Sequence, residues 1–299
     1  MSDPAEHDSR LQLRSEELRV VVSARGARIT SLKSRDGREW LVRARGDASV
    51  APGYGVVFTD TAHCGWDEMF PSVDACAYPV APYEGQPVPD HGELWSATWD
   101  VVKQTPETLH QRVHSERFAY TFERALTLDG ATLHAEYSCV LDGEAAATVP
   151  LLWALHPQFS LSEGSRVLLS PSPSHLLDTT DAMNVRPVPW NGDLVVERDV
   201  KWGDDRMLYA TPEAVVAEAA IVDRSGELLR LTWDHSFAPY LGIWMDNGRY
   251  TDQLVVALEP TNGFFDDVSR AWGSGQVGLF APGQRLSWWV NVNVEQGGH

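Results

Sequence analysis

The chain has 299 residues, of which 43% are hydrophobic and 22% charged, the ordinary balance of a globular protein with enough apolar material for a core. Its net charge of −18 argues against nucleic acid, anionic membrane surfaces and strongly anionic substrates, and favours neutral or cationic ligands. No apolar run approaches the ~18 residues of a membrane-spanning helix, and the polar N-terminus MSDPAEHDSR lacks a secretory apolar stretch. Cys64, Cys76 and Cys139 show no metal-ligand spacing; an odd number of thiols without a secretory segment reads as reduced and cytoplasmic.

Residues 1–10 read as a flexible tail. Leu11–Leu13, Leu18–Val22 and Ala27–Leu32 have strand character, and the Asp36-Gly37 turn leads into a further strand at Glu39–Val42. From Gly46 to Pro89 the chain is rich in Gly, Pro, Asp and aromatics, with strand character only at Gly55–Thr59; a loop of that length is usually functional. Strand-length segments then follow closely at Ser96–Lys103, Thr108–Ser115, Phe118–Leu128, Thr132–Leu141 and Thr148–Leu155, divided by turns such as Asp129-Gly130 and Asp142-Gly143. RFAYTFERALTL and ATLHAEYSCVL alternate apolar with polar, the mark of half-buried antiparallel strands. Further strands are expected at Arg166–Leu169, Leu194–Val196, Val215–Ile221, Leu228–Thr232, Tyr240–Met245, Leu254–Leu258, Gln276–Leu279 and Arg285–Val294. Only Asp267–Trp272 suggests helix, of one or two turns. The pattern predicts an all-β protein, a large sandwich or barrel, in a single domain spanning 1–299.

Five stretches are candidate site segments, and four of them set charged, imidazole or amide groups beside aromatics. In LVVALEPTNG, an unbroken apolar run fit for a doubly buried strand meets Glu259 just before Pro-Thr-Asn-Gly. A carboxylate that loses water there has its pKa raised and suits proton abstraction near neutral pH. LLWALHPQF places His156 in the same way, at the end of an apolar strand before Pro157. His91 precedes Gly92, where backbone can approach closely, with Trp95 nearby. CGWDEMFP sets Asp67 and Glu68 between Trp66 and Phe70, suited to sugar hydroxyls or a cation. Trp244 is either a ring platform or core. His63, Asp67, Glu68 and His91 are possible metal donors, but their spacing matches no metal motif, so none is expected to hold a metal.

In chain order, Asp90-His91-Gly92, His156-Pro157-Gln158-Phe159 with Leu161 two residues on, the Trp244 strand and Leu258-Glu259-Pro260-Thr261-Asn262-Gly263 resemble the aldose 1-epimerase family of galactose-mutarotase-like proteins. VSARGARITSLKSRDGREWL resembles the family's opening and APGQRLSWWVNVNV its close, so the resemblance spans Leu18 to Val294. It implies a β-supersandwich of large antiparallel sheets, Glu259 as general base, His156 as general acid and His91 as a second imidazole on the sugar. Trp66, Asp67, Glu68, Trp95 and Trp244 are then the expected substrate-binding residues, and no cofactor is needed. The chain departs from the family's better-known branches in two places. Leu94 and Trp95 follow Glu93 where sugar-phosphate epimerases carry an arginine, and GWDEMFP stands where an Asn-Arg pair is usual.

The expectation is an aldose 1-epimerase-like isomerase acting on a neutral monosaccharide, without nucleic-acid or membrane partners. The alternative is a carbohydrate-binding or sugar-sensing protein on the same scaffold, distinguished by binding a sugar without speeding exchange of its anomers. A lyase or hydrolase on this fold is the third reading. A lyase usually acts on an acidic polymer, which the net charge of −18 disfavours.

Overall fold

The computed structural model describes residues 11–43, 53–61, 64–142 and 147–295. The expected tail and His63 lie outside them. Two large antiparallel sheets dominate. The ten-stranded sheet runs Leu11–Arg14, Leu18–Val22, Ile29–Ser34, Trp66–Met69, Ala154–Leu161, Leu254–Thr261, Tyr240–Asn247, Asp204–Ala210, His175–Asp178, Arg186–Pro189. The eight-stranded sheet runs Arg166–Ser170, Glu218–Val222, Leu228–Trp233, Arg285–Glu295, Thr132–Leu141, Tyr120–Asp129, Thr108–Ser115, Asp100–Gln104. Among the described residues helix is confined to Val196–Asp199, Val268–Gly273 and short 3-10 turns.

Alternation explains how the sheets pack. Leu133, Ala135, Tyr137, Cys139 and Leu141 turn inward from one strand, and Tyr120, Phe122, Leu126 and Leu128 from its neighbour. They join inward residues of the ten-stranded sheet, including Val20, Ile29, Leu155, Ile243, Val256 and Leu258, in one buried cluster. At roughly 25 cal/mol per Å² of apolar surface removed from water, this layer is the main stabilising contribution.

The structure corrects several local expectations. Trp66–Met69, expected to be loop, is a central strand, because its acids are matched by arginines distant in sequence. Glu39–Val42 forms only isolated bridges at Glu39 and Leu41. Gly55–Thr59 gives way to a 3-10 turn at Phe58–Asp60. His156 and Glu259 are not at strand ends: each strand continues through its proline, to Leu161 and Thr261. Asp267 caps the predicted helix, accepting the Arg270 N–H at 2.7 Å.

The two prolines shape the centre of the sheet. Pairing between their strands is present at Ala154↔Thr261 and resumes at Gln158↔Ala257. The residues between include Pro157 and Pro260, neither of which has an N–H to donate. The ladder therefore opens where the register sets His156 opposite Glu259.

Candidate functional site

One row of side chains crosses the outer face of the ten-stranded sheet. Asp67 pairs with His156, the register sets His156 opposite Glu259, Glu259 pairs with Gly242, and Gly242 with Tyr209. Residues paired across an antiparallel ladder project to the same side. Their sequence neighbours Glu68, Leu155, Leu258 and Ile243 project to the opposite side, into the layer between the sheets.

His156 Nε2 lies 3.7 Å from Glu259 Oε1, with side chains 6% and 4% exposed. This is beyond a direct hydrogen bond between the two. Burial pushes the Glu259 carboxyl well above its ordinary range, and the nearby Asp266 and Asp74 push it further. Gly242 makes room for it: a Cβ there would lie 3.1 Å from Glu259 Oε2.

His91 arrives from a tight turn. Its φ is +60°, and its Nδ1 lies 2.9 Å from Asp90 Oδ1. Gly92, at φ +68°, lies so close to Phe70 that a Cβ would fall 2.0 Å from the Phe70 carbonyl oxygen. The His91 ring stacks on Phe58 at 4.0 Å and meets the His156 ring at 5.0 Å. Phe58 donates its backbone N–H to Asp90 Oδ2 at 2.7 Å. Burial alone would raise the Asp90 carboxyl, but its hydrogen bonds and the His91 charge bring it below the ordinary value.

The structure brings together Glu259, His156, His91, Asp67 and Trp244, whose half-buried ring lies 6.4 Å from His156 and donates to Asp205 Oδ2 at 3.1 Å. Trp95 stands behind them, 2% exposed, edge-on to Phe58 and donating to the Asp90 carbonyl. Trp66 and Glu68 go elsewhere. Trp66 is 0% exposed, and Glu68, also 0% exposed, accepts from Arg124, Tyr137 and Trp153 between the sheets. Both face away from the row.

Sequence reading missed Phe58, Tyr209, Asp266 and Arg28. Arg28 Nε donates to Asp67 Oδ1 at 2.8 Å, and its guanidinium stands 6.0 Å from the Phe58 ring. The one signal for Asp266 was its place just past LEPTNG. Among the described residues no group of three or more His, Cys, Asp or Glu is arranged to hold a metal. Asp67 is held by Arg28, and Glu68 faces the core. No helix among the described residues is long and apolar enough to cross a membrane.

The family profile described as Aldose 1-epimerase matches residues 9–293. The chain belongs to the aldose 1-epimerase family. Solved structures with the same fold include a Synechocystis protein at 18% identity, covering 99% of each chain with a TM-score of 0.76. A galactose mutarotase-like protein from Lactobacillus casei is also 18% identical, over 96% of this chain and 100% of its own, with a TM-score of 0.76. A galactose mutarotase related enzyme from Lactobacillus acidophilus is 17% identical, over 96% and 98%, with a TM-score of 0.73. The fold is thus the galactose-mutarotase-like one expected of this aldose 1-epimerase family member. No curated protein matches the sequence.

Proposed function

We propose that the protein interconverts the α and β anomers of a neutral aldose by acid–base ring opening. The observation that carries this is the Glu259–His156 pair, 3.7 Å apart in an opened stretch of an otherwise paired sheet. The hydroxyl and ring oxygens of a cyclic aldose are both bonded to C1, so two groups this close can each address one of them. Glu259 takes the proton from the C1 hydroxyl as the bond from C1 to the ring oxygen breaks. His156 gives a proton to that ring oxygen, and C1 becomes the aldehyde carbon. Rotation about C1–C2 presents the other carbonyl face. The ring hydroxyl then attacks C1, returns its proton to His156, and the new C1 hydroxyl recovers its proton from Glu259. Each positioned proton transfer contributes on the order of 10²–10⁴-fold.

His91, oriented by Asp90 and Phe58, supports the ring oxygen beside His156. Trp244 supplies an apolar surface for the ring, and Asp67 with Arg28 accepts and donates hydrogen bonds at the row's end. A neutral rather than phosphorylated sugar is favoured by the acids around the base, Asp266, Asp74 and Asp90, and by the net charge of −18. The chain acts as one domain in the cytoplasm.

The test is polarimetry on freshly dissolved α-glucose and α-galactose, extended by NMR of anomeric protons across a panel of aldoses. The parent protein should accelerate the exchange, while Glu259→Gln and His156→Ala should each abolish it and retain the parent's circular dichroism. Binding of a sugar without acceleration would instead mark a sensor.

A further inference from the structure

Asp266 has no part in the reaction proposed above, yet it faces the base. Its backbone is left-handed at φ +61°, a region aspartate tolerates better than most residues. Its Oδ1 accepts the Tyr209 hydroxyl at 2.8 Å. Tyr209 is 1% exposed and pairs with Gly242, which pairs with Glu259. A Cβ at Gly242 would fall 3.1 Å from Glu259 Oε2 and 3.3 Å from Tyr209 Cζ, so ring and carboxylate converge over bare backbone. The Asp266 carbonyl accepts the N–H of Val73 at 3.0 Å, and the Val73 carbonyl accepts the N–H of His91 at 2.6 Å. The loop presenting Asp266 is thus tied to the turn presenting His91.

We propose that Asp266, held in place by Tyr209, is a positioning residue that acts through Glu259: its negative charge strengthens the base as a proton acceptor. A second acid facing a buried carboxylate opposes ionisation of both, and such arrangements cluster at functional sites. Among the described residues, His156, Tyr209, Asp74, Arg270 and Asp267 also bear on the pair. His156 lies across Glu259 at 3.7 Å and acts in the opposite sense whenever it is charged. Tyr209 stays neutral, its hydroxyl pushed far up by burial and by Asp266 and Glu259. Asp74 also bears on both acids, raising each, and at Glu259 it ranks behind Asp266. Arg270 and Asp267, beside Asp266, lie 3.7 Å from each other. Burial and then Asp74 bring the Asp266 carboxyl up to about 7, opposed by the Tyr209 hydrogen bond.

The test compares the parent with Asp266→Asn and Tyr209→Phe. Carboxyl carbon NMR follows the titration of Glu259, its resonance assigned by its loss in Glu259→Gln. Asp266→Asn should lower the Glu259 midpoint by about one pH unit. Tyr209→Phe keeps the ring, lets Asp266 hold its proton to higher pH, and should lower the Glu259 midpoint by less. In anomer exchange, the acid limb of kcat should move with the midpoint. One unit below the parent's midpoint, Asp266→Asn should be roughly twofold faster than the parent, its about fivefold larger ionised fraction offset by a weaker base. On the alkaline plateau it should be about threefold slower, as a weaker base, with KM unchanged. A Glu259 midpoint that stays within about 0.2 unit in both variants would overturn the proposal. So would a variant slower at every pH. The kinetic arm rests on the epimerase reading, but the titration arm does not. A parent that fails to accelerate exchange sinks that reading and leaves the Glu259 midpoint to judge this one.

Discussion

Replacing Glu68 by glutamine separates a structural carboxylate from a sugar-binding one. Glu68 Oε1 accepts Arg124 Nη1 at 3.0 Å and the Tyr137 hydroxyl at 2.9 Å, and Oε2 accepts Trp153 Nε1 at 3.1 Å. Burial pushes this carboxyl up, while Arg124 and the donated hydrogen bonds pull it back. Arg124 is itself 0% exposed, and its remaining acceptors, the Ala27 carbonyl and Gln111, are neutral. Glutamine keeps the shape but leaves a guanidinium buried without a counter-charge, which costs about 3–5 kcal/mol. For a chain of 299 residues the loss corresponds to a fall in Tm of roughly 5–8 °C. Thermal unfolding by circular dichroism measures it, with anomer exchange assayed well below the transition, where KM should match the parent. Replacing Glu68 and Arg124 together by leucine and methionine should recover much of the loss, since an apolar pair of similar volume often equals a buried ion pair. An unchanged Tm with a raised KM would refute this and return Glu68 to the substrate.

Glu259→Gln should raise Tm while abolishing exchange. The folded carboxyl titrates above its ordinary value of about 4.5, so its ionisation disfavours folding increasingly as pH rises past that value. The gain in Tm should be present at pH 8 and vanish near pH 4, and a gain largest in acid would refute the sign. Gly92→Ala should displace the His91 turn, because the added Cβ meets the Phe70 carbonyl at φ +68°. A loss of more than about 1 kcal/mol by denaturant titration, with kcat reduced more than KM is raised, is the expected outcome.

How far the sequence could be read depended on the range of the forces involved. LVVALEPTNG declared itself a buried strand because hydrophobic runs are local signals, and the alternation from Tyr120 to Leu141 declared its inward face in the same way. Trp66–Met69 was illegible because its acids are neutralised by Arg28 and Arg124, one from an early strand approach and one from the opposite sheet. Asp67 and Glu68 looked equivalent as neighbours in a loop; only the ladder to Ala154–Leu161 sends one outward and the other inward. The continuation past Pro157 and Pro260 was hidden for a related reason. A proline ends a strand in most settings, but here two of them share one gap in the middle of a sheet. His175–Asp178, Arg186–Pro189 and Asp204–Ala210 carry many polar residues and depend on their neighbours for strand identity.

Leu254–Thr261 answers to two demands at once, with Val256 and Leu258 serving the packing layer and Ala257 and Glu259 the opposite, equally buried face that carries the site. Because its side chains alternate with a period of two, inserting or deleting a single residue would exchange the two sets wholesale. It would drive a carboxylate into the packing layer and set leucine where the base stands. Such a strand can drift in composition one face at a time, but its length and phase are locked together.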